Sequence, residues 1–353
     1  MQPLVSGVFR ALCCLVLLAN PGVAATLCAA EPVALRVESF TVSPSTQPLV
    51  YVQVKNLQTG PYEGTVSIKA PDGWQFSATK RAVSLEPGAT GRVSFAVERG
   101  IDRQTNSYPI EVAAAGAGKT VVRKQNVATA SAPYFKPEID GDPGDWKDAI
   151  PFSFTTGGKK TVISTFWNRR QFLLLVAVEE DKLVGFRSSG GFDAVQVAMS
   201  PQETTTGKSP EDEATRFEFL FVAADGGTGG KCFQLAEPGM KLAEGAKTRE
   251  LQPLLYEKAQ VAVGRKGGVT YYECGIPFRP IRGKIRPSEG REFYLSLLVH
   301  DPDGTGIRDW GEAVGLWPWQ RNRLVWSCFQ GAQLGDKPPF DNKTQWGLCA
   351  SKY

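Results

Sequence analysis

The sequence predicts an all-β protein built from two β-sandwich domains. The chain has 353 residues, about twice the length typical of one domain. Apolar residues alternate with polar ones over long stretches, which is the pattern of half-buried strands. Glycine and proline are frequent, with 37 and 24 residues, and mark turns between these stretches. Because 42% of the residues are hydrophobic, each domain can bury a substantial core.

Charge and histidine content exclude several classes of function. Lys and Arg number 40 against 36 Asp and Glu, and no basic run is long enough to indicate nucleic-acid or anionic-lipid binding. His300 is the single histidine, so a zinc site that needs several imidazoles is excluded. We therefore expect neither a nucleic-acid partner nor a histidine-rich metal site.

Residues 1–30 have the layout of a secretory signal peptide. Arg10 precedes an apolar run over 11–19, and Pro21 and Gly22 lead into small residues. The run is shorter than the ~20 apolar residues that span a bilayer. We expect export to the periplasm, the cell surface or the medium and no transmembrane segment; a retained N-terminal anchor is the alternative.

Residues 31–127 are interpreted as an immunoglobulin-like sandwich. Period-two alternation is clearest at 35–38, 50–54 and 66–69, with turn residues between these strands. The stretches 64–74, 83–88 and 91–97 resemble sandwich domains appended to bacterial exported glycosidases. That resemblance implies a spacer without a binding site, in which Trp74 belongs to the core.

Residues 128–134 have the small, polar, proline-ending composition of a linker. The second domain is then 135–353, also predicted to be mostly β. The segment 202–215 is expected to form an exposed loop. The predicted strands are 161–167, 172–178, 194–199, 217–222, 269–276 and 293–299.

The cysteines of the second domain are expected to form two disulfides. Cys232, Cys274, Cys328 and Cys349 are an even set in an exported domain. The preferred pairs are Cys232 with Cys274 and Cys328 with Cys349. Buried thiols are the alternative.

Five stretches of the second domain resemble, in order and spacing, the family 9 carbohydrate-binding modules and the wider group of DOMON-like sandwich domains. The resemblance implies a non-catalytic, jelly-roll-type sandwich that binds a glycan. The stretches are IDGDPGDW at 139–146, TFW at 165–167 with FLLLVAVEE at 172–180, FDAVQV at 192–197, YYECGIPF at 271–278, and LVHDPDG at 298–304.

The resemblance also implies the residues of a sugar site. Sugar-binding members hold a terminal sugar between two tryptophans. At the first of these positions the sequence is Gly190-Gly191-Phe192, so Phe192 replaces a tryptophan or that wall is missing. The second falls in a late loop that offers three tryptophans and two arginine donors: Trp310, Trp317, Trp319, Arg308 and Arg321.

The calcium-binding members of the family suggest Asp142, Glu180 and Asp301 as metal ligands, since calcium prefers oxygen donors. Salt bridges or turn capping by the same side chains are the alternative. Glu273 lies inside an apolar strand, where a carboxylate needs a partner. A structural hydrogen-bonding role is the preferred interpretation for it.

No catalytic motif occurs in a suitable context, so the preferred function is that of an exported, non-catalytic carbohydrate-binding protein with a polysaccharide partner. A structural or protein-interaction module that has lost the sugar site is the first alternative. A haem domain is the second, because related sandwiches hold iron by Met and His. Met199 and His300 would supply that pair.

Overall fold

The computed structural model describes residues 31–116, 118–187, 191–201, 216–224, 229–240, 250–285, 287–315, 339–340 and 344–350. The predicted signal peptide at 1–30 and the predicted loop at 202–215 lie outside these residues. The described residues form strands joined by turns and a few short helices. The predicted all-β class is therefore confirmed.

The first sandwich consists of two four-stranded sheets, with strand orders β1-β2-β6-β4 and β5-β3-β7-β8. All its strand pairs are antiparallel. Buried side chains from both sheets form one core, in which Trp74 packs against Phe40 and Tyr108. The strands are β1 (Val33–Val37), β2 (Leu49–Asn56), β3 (Tyr62–Lys69), β4 (Gln75–Phe76), β5 (Lys80–Leu85), β6 (Thr90–Arg99), β7 (Tyr108–Gly116) and β8 (Lys119–Val127).

The second sandwich has a five-stranded sheet, β10-β11-β12-β17-β16, and a larger sheet, β15-β14-β13-β18-β20-β9, in which β19 also pairs with β18. The strands are β9 (Ser131–Ala132), β10 (Phe152–Thr156), β11 (Lys159–Trp167), β12 (Gln171–Glu179), β13 (Ala194–Pro201), β14 (Phe217–Ala223), β15 (Gly230–Ala236), β16 (Gln260–Lys266), β17 (Val269–Pro277), β18 (Glu292–Asp301), β19 (Gly306–Asp309) and β20 (Thr344–Leu348).

The core of the second sandwich lies between these two sheets. Alternate residues of β13 and β14, such as Val197 and Phe219, face Leu174 and Ile276 of the other sheet within one cluster of buried side chains. The six strands predicted from sequence correspond to β11, β12, β13, β14, β17 and β18, with ends that differ by at most two residues. Apolar runs buried on both faces explain why these central strands were recognisable.

Helices among the described residues are short. The α-helices are α1 (Phe278–Ile281) and α2 (Trp310–Ala313), and single 3-10 turns occur at Pro44–Thr46, Pro143–Trp146 and Gln252–Leu254. No helix within the described ranges has the length and apolar character needed to cross a membrane.

The predicted linker at 128–134 is largely buried, unlike the solvated spacer that its composition suggested. Ala130 and Ala132 are fully buried. The Ala130 N–H donates to the carbonyl of Phe40 in the first sandwich, and the Cys349 N–H donates to the carbonyl of Ala132. Strand β9 within this segment pairs in parallel with β20. Small side chains here allow the backbone to pass between the two sandwiches.

Candidate functional site

The five stretches that carry the family resemblance come together in two clusters of the second sandwich. The first cluster is centred on Glu273, which is buried in the middle of β17. Its Oε1 accepts a hydrogen bond from the Trp146 indole at 2.7 Å, and its Oε2 accepts from the backbone N–H groups of Asp140 and Gly141 at 2.9 and 2.6 Å. Glu273 therefore attaches the turn around residue 140 to the sheet, which agrees with the structural hydrogen-bonding role preferred for it from the sequence.

The second cluster consists of three buried carboxylates, and we call it the acid cluster: Glu180, Asp193 and Asp301. One oxygen of each lies within 4.8 Å of the others. Glu180 directly follows β12, Asp193 directly precedes β13, and Asp301 ends β18. The acid cluster therefore lies where one end of the five-stranded sheet meets one end of the larger sheet.

Hydrogen bonds hold one oxygen of each carboxylate. Thr270 Oγ1 and Arg265 Nη1 donate to Glu180 Oε1, the arginine at 3.4 Å. The Val184 N–H donates to Asp193 Oδ2. Two other oxygens, Glu180 Oε2 and Asp193 Oδ1, are buried without a hydrogen-bond partner. Buried carboxylate oxygens without partners are costly, and a bound cation would remove that cost.

Asp301 has a different environment from the other two members. Its Oδ2 accepts hydrogen bonds from Thr305 N and Oγ1, at 3.0 and 2.9 Å, and from Arg308 Nη2 at 2.7 Å. Burial alone would raise its pKa, but these hydrogen bonds and the Arg308 charge together hold the pKa of Asp301 below its usual value. Asp301 is therefore the permanently charged member of the acid cluster.

Glu180 and Asp193 retain their protons to unusually high pH in the absence of a cation. The pKa of Glu180 is raised to about 7, mainly by burial and also by the Asp193 and Asp301 charges, against the opposing hydrogen bond from Thr270 and the charge of Arg265. Burial likewise raises the pKa of Asp193 to about 6. Three carboxylates of one sign in a buried site form an oxygen-only donor set, which fits a hard cation such as calcium.

Two of the three predicted metal ligands belong to the acid cluster, and the third does not. Glu180 and Asp301 are brought together as predicted, but Asp142 is exposed and caps the 3-10 turn, where its Oδ1 accepts from the Gly144 N–H at 3.0 Å. The third carboxylate is Asp193. Asp193 directly follows Phe192, in one of the five stretches that resemble family 9 modules. The sequence feature that could have identified it as a ligand is an acidic residue directly before an apolar strand.

Three of the residues predicted to contact sugar lie in the interior. Arg308 is fully buried, pairs with Asp301 and donates to the Glu179 carbonyl at 2.8 Å. Phe192 is buried against Phe186, with ring centroids 5.2 Å apart. These two side chains serve the packing of the sandwich, which contradicts the predicted surface role.

Trp310 is also a core residue rather than a sugar platform. It begins α2 and lies between Phe152 and Trp346, with ring centroids 4.8 and 5.7 Å away. It is 3% exposed, so neither face of the ring is open to a ligand. The role of three further residues in sugar binding stays a prediction, because they lie outside the described residues: Trp317, Trp319 and Arg321.

The haem alternative is contradicted by the sheet geometry. Met199 packs in the core between the sheets, whereas His300 hydrogen-bonds Gln196 on the opposite face of the same sheet at 3.0 Å. His300 pairs in register with Ala194, five residues along β13 from Met199. That is about 16 Å of strand. The two side chains therefore cannot ligate one iron.

The predicted Cys232–Cys274 disulfide is absent, because both residues carry free thiols. Cys232 lies on β15 and Cys274 on β17, in different sheets, and both are buried in the core. Burial raises the pKa of both thiols, so they behave as small apolar side chains. The second predicted pair involves Cys328, which lies outside the described residues.

Comparison with known proteins gives similarities of fold. No family model and no curated protein matches the chain. A family 9 carbohydrate-binding module from Caldicellulosiruptor kristjanssonii in complex with cellotriose aligns with 62% of this chain and 93% of its own, at 12% identity and a TM-score of 0.41.

Two further structures are similar at lower scores. The same type of module in complex with glucose aligns with 62% of this chain and 94% of its own, at 12% identity and a TM-score of 0.37. The calcium-binding domain CBD12 of CALX1.1 aligns with 90% of this chain and 99% of its own, at 12% identity and a TM-score of 0.21. At these values, the ligands named for those structures are properties of those proteins alone.

Proposed function

We propose that the chain is an exported, non-catalytic glycan-binding protein in which a divalent cation, calcium, stabilises one end of the second sandwich. The observation that supports the cation is the acid cluster, where three carboxylates lie within 4.8 Å and two of their buried oxygens have no partner. Glu180, Asp193 and Asp301 would hold the cation. When bound, it would neutralise the carboxylates and join the ends of β12, β13 and β18.

Glycan binding is supported by the five stretches that resemble family 9 modules and by the tryptophans that follow α2. Trp310 and Trp346 are both buried. This leaves Trp317 and Trp319 as the predicted sugar-stacking residues. Planar aromatic faces suit the apolar faces of sugar rings, and each such contact contributes on the order of 0.5–1.5 kcal/mol.

The test is affinity electrophoresis of the mature chain through gels that contain a panel of neutral and acidic polysaccharides. Retention by at least one polysaccharide is expected, and Trp317→Ala or Trp319→Ala should weaken it by about tenfold, the equivalent of about 1.4 kcal/mol. Trp317→Phe and Trp319→Phe are the matched controls and should keep most of the retention. If no polysaccharide in the panel retains the wild-type protein, glycan binding is wrong.

The burial of Phe192, Arg308 and Trp310 favours a second candidate, a structural or protein-interaction module that has kept the sandwich without the sugar site. This candidate expects the same calcium-dependent stability but no retention by any polysaccharide. The electrophoresis panel therefore separates the two functions.

A further inference from the structure

A groove of about 970 Å³ opens at the end of the second sandwich opposite the acid cluster. It lies beside Gln171, at the start of β12, whereas Glu180 of the acid cluster follows the end of the same strand. Nine residues of strand separate them by about 30 Å. The groove is therefore distinct from the cation site and from Phe192, which directly precedes Asp193 of the acid cluster.

Four arginines line this groove: Arg169, Arg170, Arg279 and Arg282. All four are exposed, and none forms an ion pair with a described acidic residue within 4.0 Å. Glu289 is the acidic residue in the described lining. The local charge is strongly positive, although residues 134–353 contain 28 basic and 28 acidic residues and are neutral as a whole.

Strand pairing brings these arginines together from distant parts of the sequence. Gln171 pairs in register with Pro277, so the turn before β12 lies beside the start of α1. The Phe278 N–H donates to the Arg170 carbonyl at 2.8 Å, and Asn168 Oδ1 accepts from the Arg170 N–H at 2.8 Å. The backbone that carries the arginines is therefore fixed by hydrogen bonds.

The chemistry of the lining points to an anionic ligand that also bears hydroxyl groups. Guanidinium groups form paired hydrogen bonds with carboxylate, sulfate or phosphate groups, and a concave site of one charge attracts such anions. Gln171 and Ser288 add neutral hydrogen-bonding groups to the wall. The volume is at the upper end of the range usual for ligand sites, which leaves room for more than a single small anion.

Other anionic partners fit this groove less well. Trp167 and Phe278 in its lining are buried, so the described groove offers no open ring for stacking bases. The exposed large apolar side chains of the described residues lie outside this lining. The described lining therefore offers no exposed large apolar side chain of the kind that inserts into a membrane surface.

We propose that this arginine groove binds an acidic polysaccharide, one whose sugars carry carboxylate or sulfate groups. The inference rests on the proposed function, because the ligand is a glycan, and it names the class of glycan. Carboxylated and sulfated polymers present the same anionic chemistry to guanidinium groups. The experiment therefore includes one of each.

The test is affinity electrophoresis of the mature chain in gels that contain polygalacturonate, heparin, neutral hydroxyethylcellulose or polyphosphate. We expect retention by polygalacturonate or heparin, and the stronger of the two identifies the anionic group. The double variant Arg169→Gln/Arg279→Gln should bind the acidic polymer at least tenfold more weakly. Both side chains are exposed, so its melting temperature should stay close to that of the wild type, which is checked in parallel.

The matched control is Lys80→Gln/Arg81→Gln on β5 of the first sandwich, where both side chains are exposed. It removes the same charge and should keep the retention. The inference is overturned if both double variants lose binding equally, or if polyphosphate retains the protein as strongly as the acidic glycans. Retention by hydroxyethylcellulose alone would contradict the binding of acidic polysaccharide in the groove but would agree with the proposed glycan-binding function. Retention by no polysaccharide would contradict both proposals.

Discussion

Burial gives the three carboxylates of the acid cluster different protonation behaviour. Asp301 is paired with Arg308, whereas Glu180 and Asp193 each keep one buried oxygen without a hydrogen-bond partner. Without a cation, protonation is the way in which these two groups reduce the cost of burial. A divalent cation bound by the acid cluster would compete with those protons, so metal binding and pH would be linked at this site.

We expect Asp193→Asn to abolish stabilisation by calcium. Wild-type protein should melt at a higher temperature in calcium than in a chelator, since a hundredfold excess over the dissociation constant stabilises the native state by about 2.7 kcal/mol. An asparagine side chain at this position lacks the charge that the cation requires, so the calcium-dependent shift should vanish. Differential scanning fluorimetry with and without calcium measures both.

The control is Asp181→Asn, a neighbouring carboxylate that is 85% exposed and pairs with Lys159. It should keep the full calcium shift. A wild-type melting curve that neither calcium nor chelator moves would count against the cation site.

The metal-free protein should lose stability as pH rises from about 4 to about 7. The folded pKa values of Glu180 and Asp193 are about 7 and about 6, above the unfolded values of ~4.3 and ~3.9. Between these values the folded state binds more protons, so the free energy of unfolding falls as pH rises. His300 opposes this trend, because burial lowers its pKa to about 3 and the unfolded state alone binds its proton between pH 4.5 and about 6.5. Urea unfolding in a chelator at pH 4.5 and pH 7.5 should therefore show a net decrease of about 2 kcal/mol. Asp193→Asn should reduce the decrease, and an equal decrease in that variant would contradict this assignment.

Several single-residue roles could not be predicted because the same residue types serve both cores and binding sites. Phe192 and Trp310 are aromatic residues that the family resemblance placed at a surface, but their neighbours Phe186 and Phe152 bury them. Arg308 satisfies Asp301 inside the sandwich. Only the three-dimensional partners distinguish these roles from sugar contact.

At the scale of single elements, Glu273 shows how one side chain attaches a turn to a sheet. It receives three hydrogen bonds from the 3-10 turn of Pro143–Trp146 and the two residues at 140 and 141. Although burial raises the pKa of Glu273, all three donors favour its charged form. The turn is therefore held by the Glu273 carboxylate, which acts only as a hydrogen-bond acceptor.

We expect Glu273→Gln to destabilise the second sandwich by about 2–4 kcal/mol. The amide nitrogen of glutamine cannot accept hydrogen bonds, so at least one buried donor loses its partner. Urea unfolding measures the change. The control Glu257→Gln removes an exposed carboxylate and should alter the free energy of unfolding by less than about 0.5 kcal/mol; an equal effect of the two variants would contradict the role of Glu273.

Central strands were predictable from sequence, and edge strands were not. The run that forms β12 is apolar because both of its faces are buried, and this signal is strong. Strand β16 is at the edge of its sheet and ends in exposed polar residues, so its pattern is weak. The arginine groove was missed for a related reason, since its charges come from two short segments that only the pairing of β12 with β17 brings together.

At the scale of the whole molecule, the two sandwiches are joined by buried contacts as well as by the chain. The described residues of both belong to one compact unit. Asn106 exchanges two hydrogen bonds with the backbone of Thr129, at 2.8 and 2.9 Å. The Asn126 N–H donates to the Val314 carbonyl, and Thr41 Oγ1 donates to Glu292 Oε1 at 2.9 Å.

We therefore expect the protein to unfold in a single thermal transition that calcium moves as a whole. If the sandwiches unfolded independently, a cation held by the acid cluster would stabilise the second sandwich and leave the first unaffected. Differential scanning calorimetry distinguishes the two, because coupled sandwiches give equal van't Hoff and calorimetric enthalpies. Two transitions, of which calcium moves only one, would show that the sandwiches unfold independently.

The all-β class could be predicted because alternation and turn residues are local signals. The buried connection between the sandwiches could not be predicted from sequence. Alanine, serine and threonine are typical of flexible linkers, but they also occur where two backbone segments pack closely together. Residues 128–132 show the second case, since all are at most 9% exposed.

The pairing of β9 with β20 also determines where the protein can be divided. A fragment that begins at residue 134 would lack Ser131 and Ala132, the partners of Gly347 and Leu348. The backbone groups of β20 would then form an open sheet edge, and open edges favour aggregation. Recombination that exchanges the second sandwich between proteins would therefore have to include residues 128–133, so the segment that can be exchanged begins before the boundary at residue 135 that the sequence predicted.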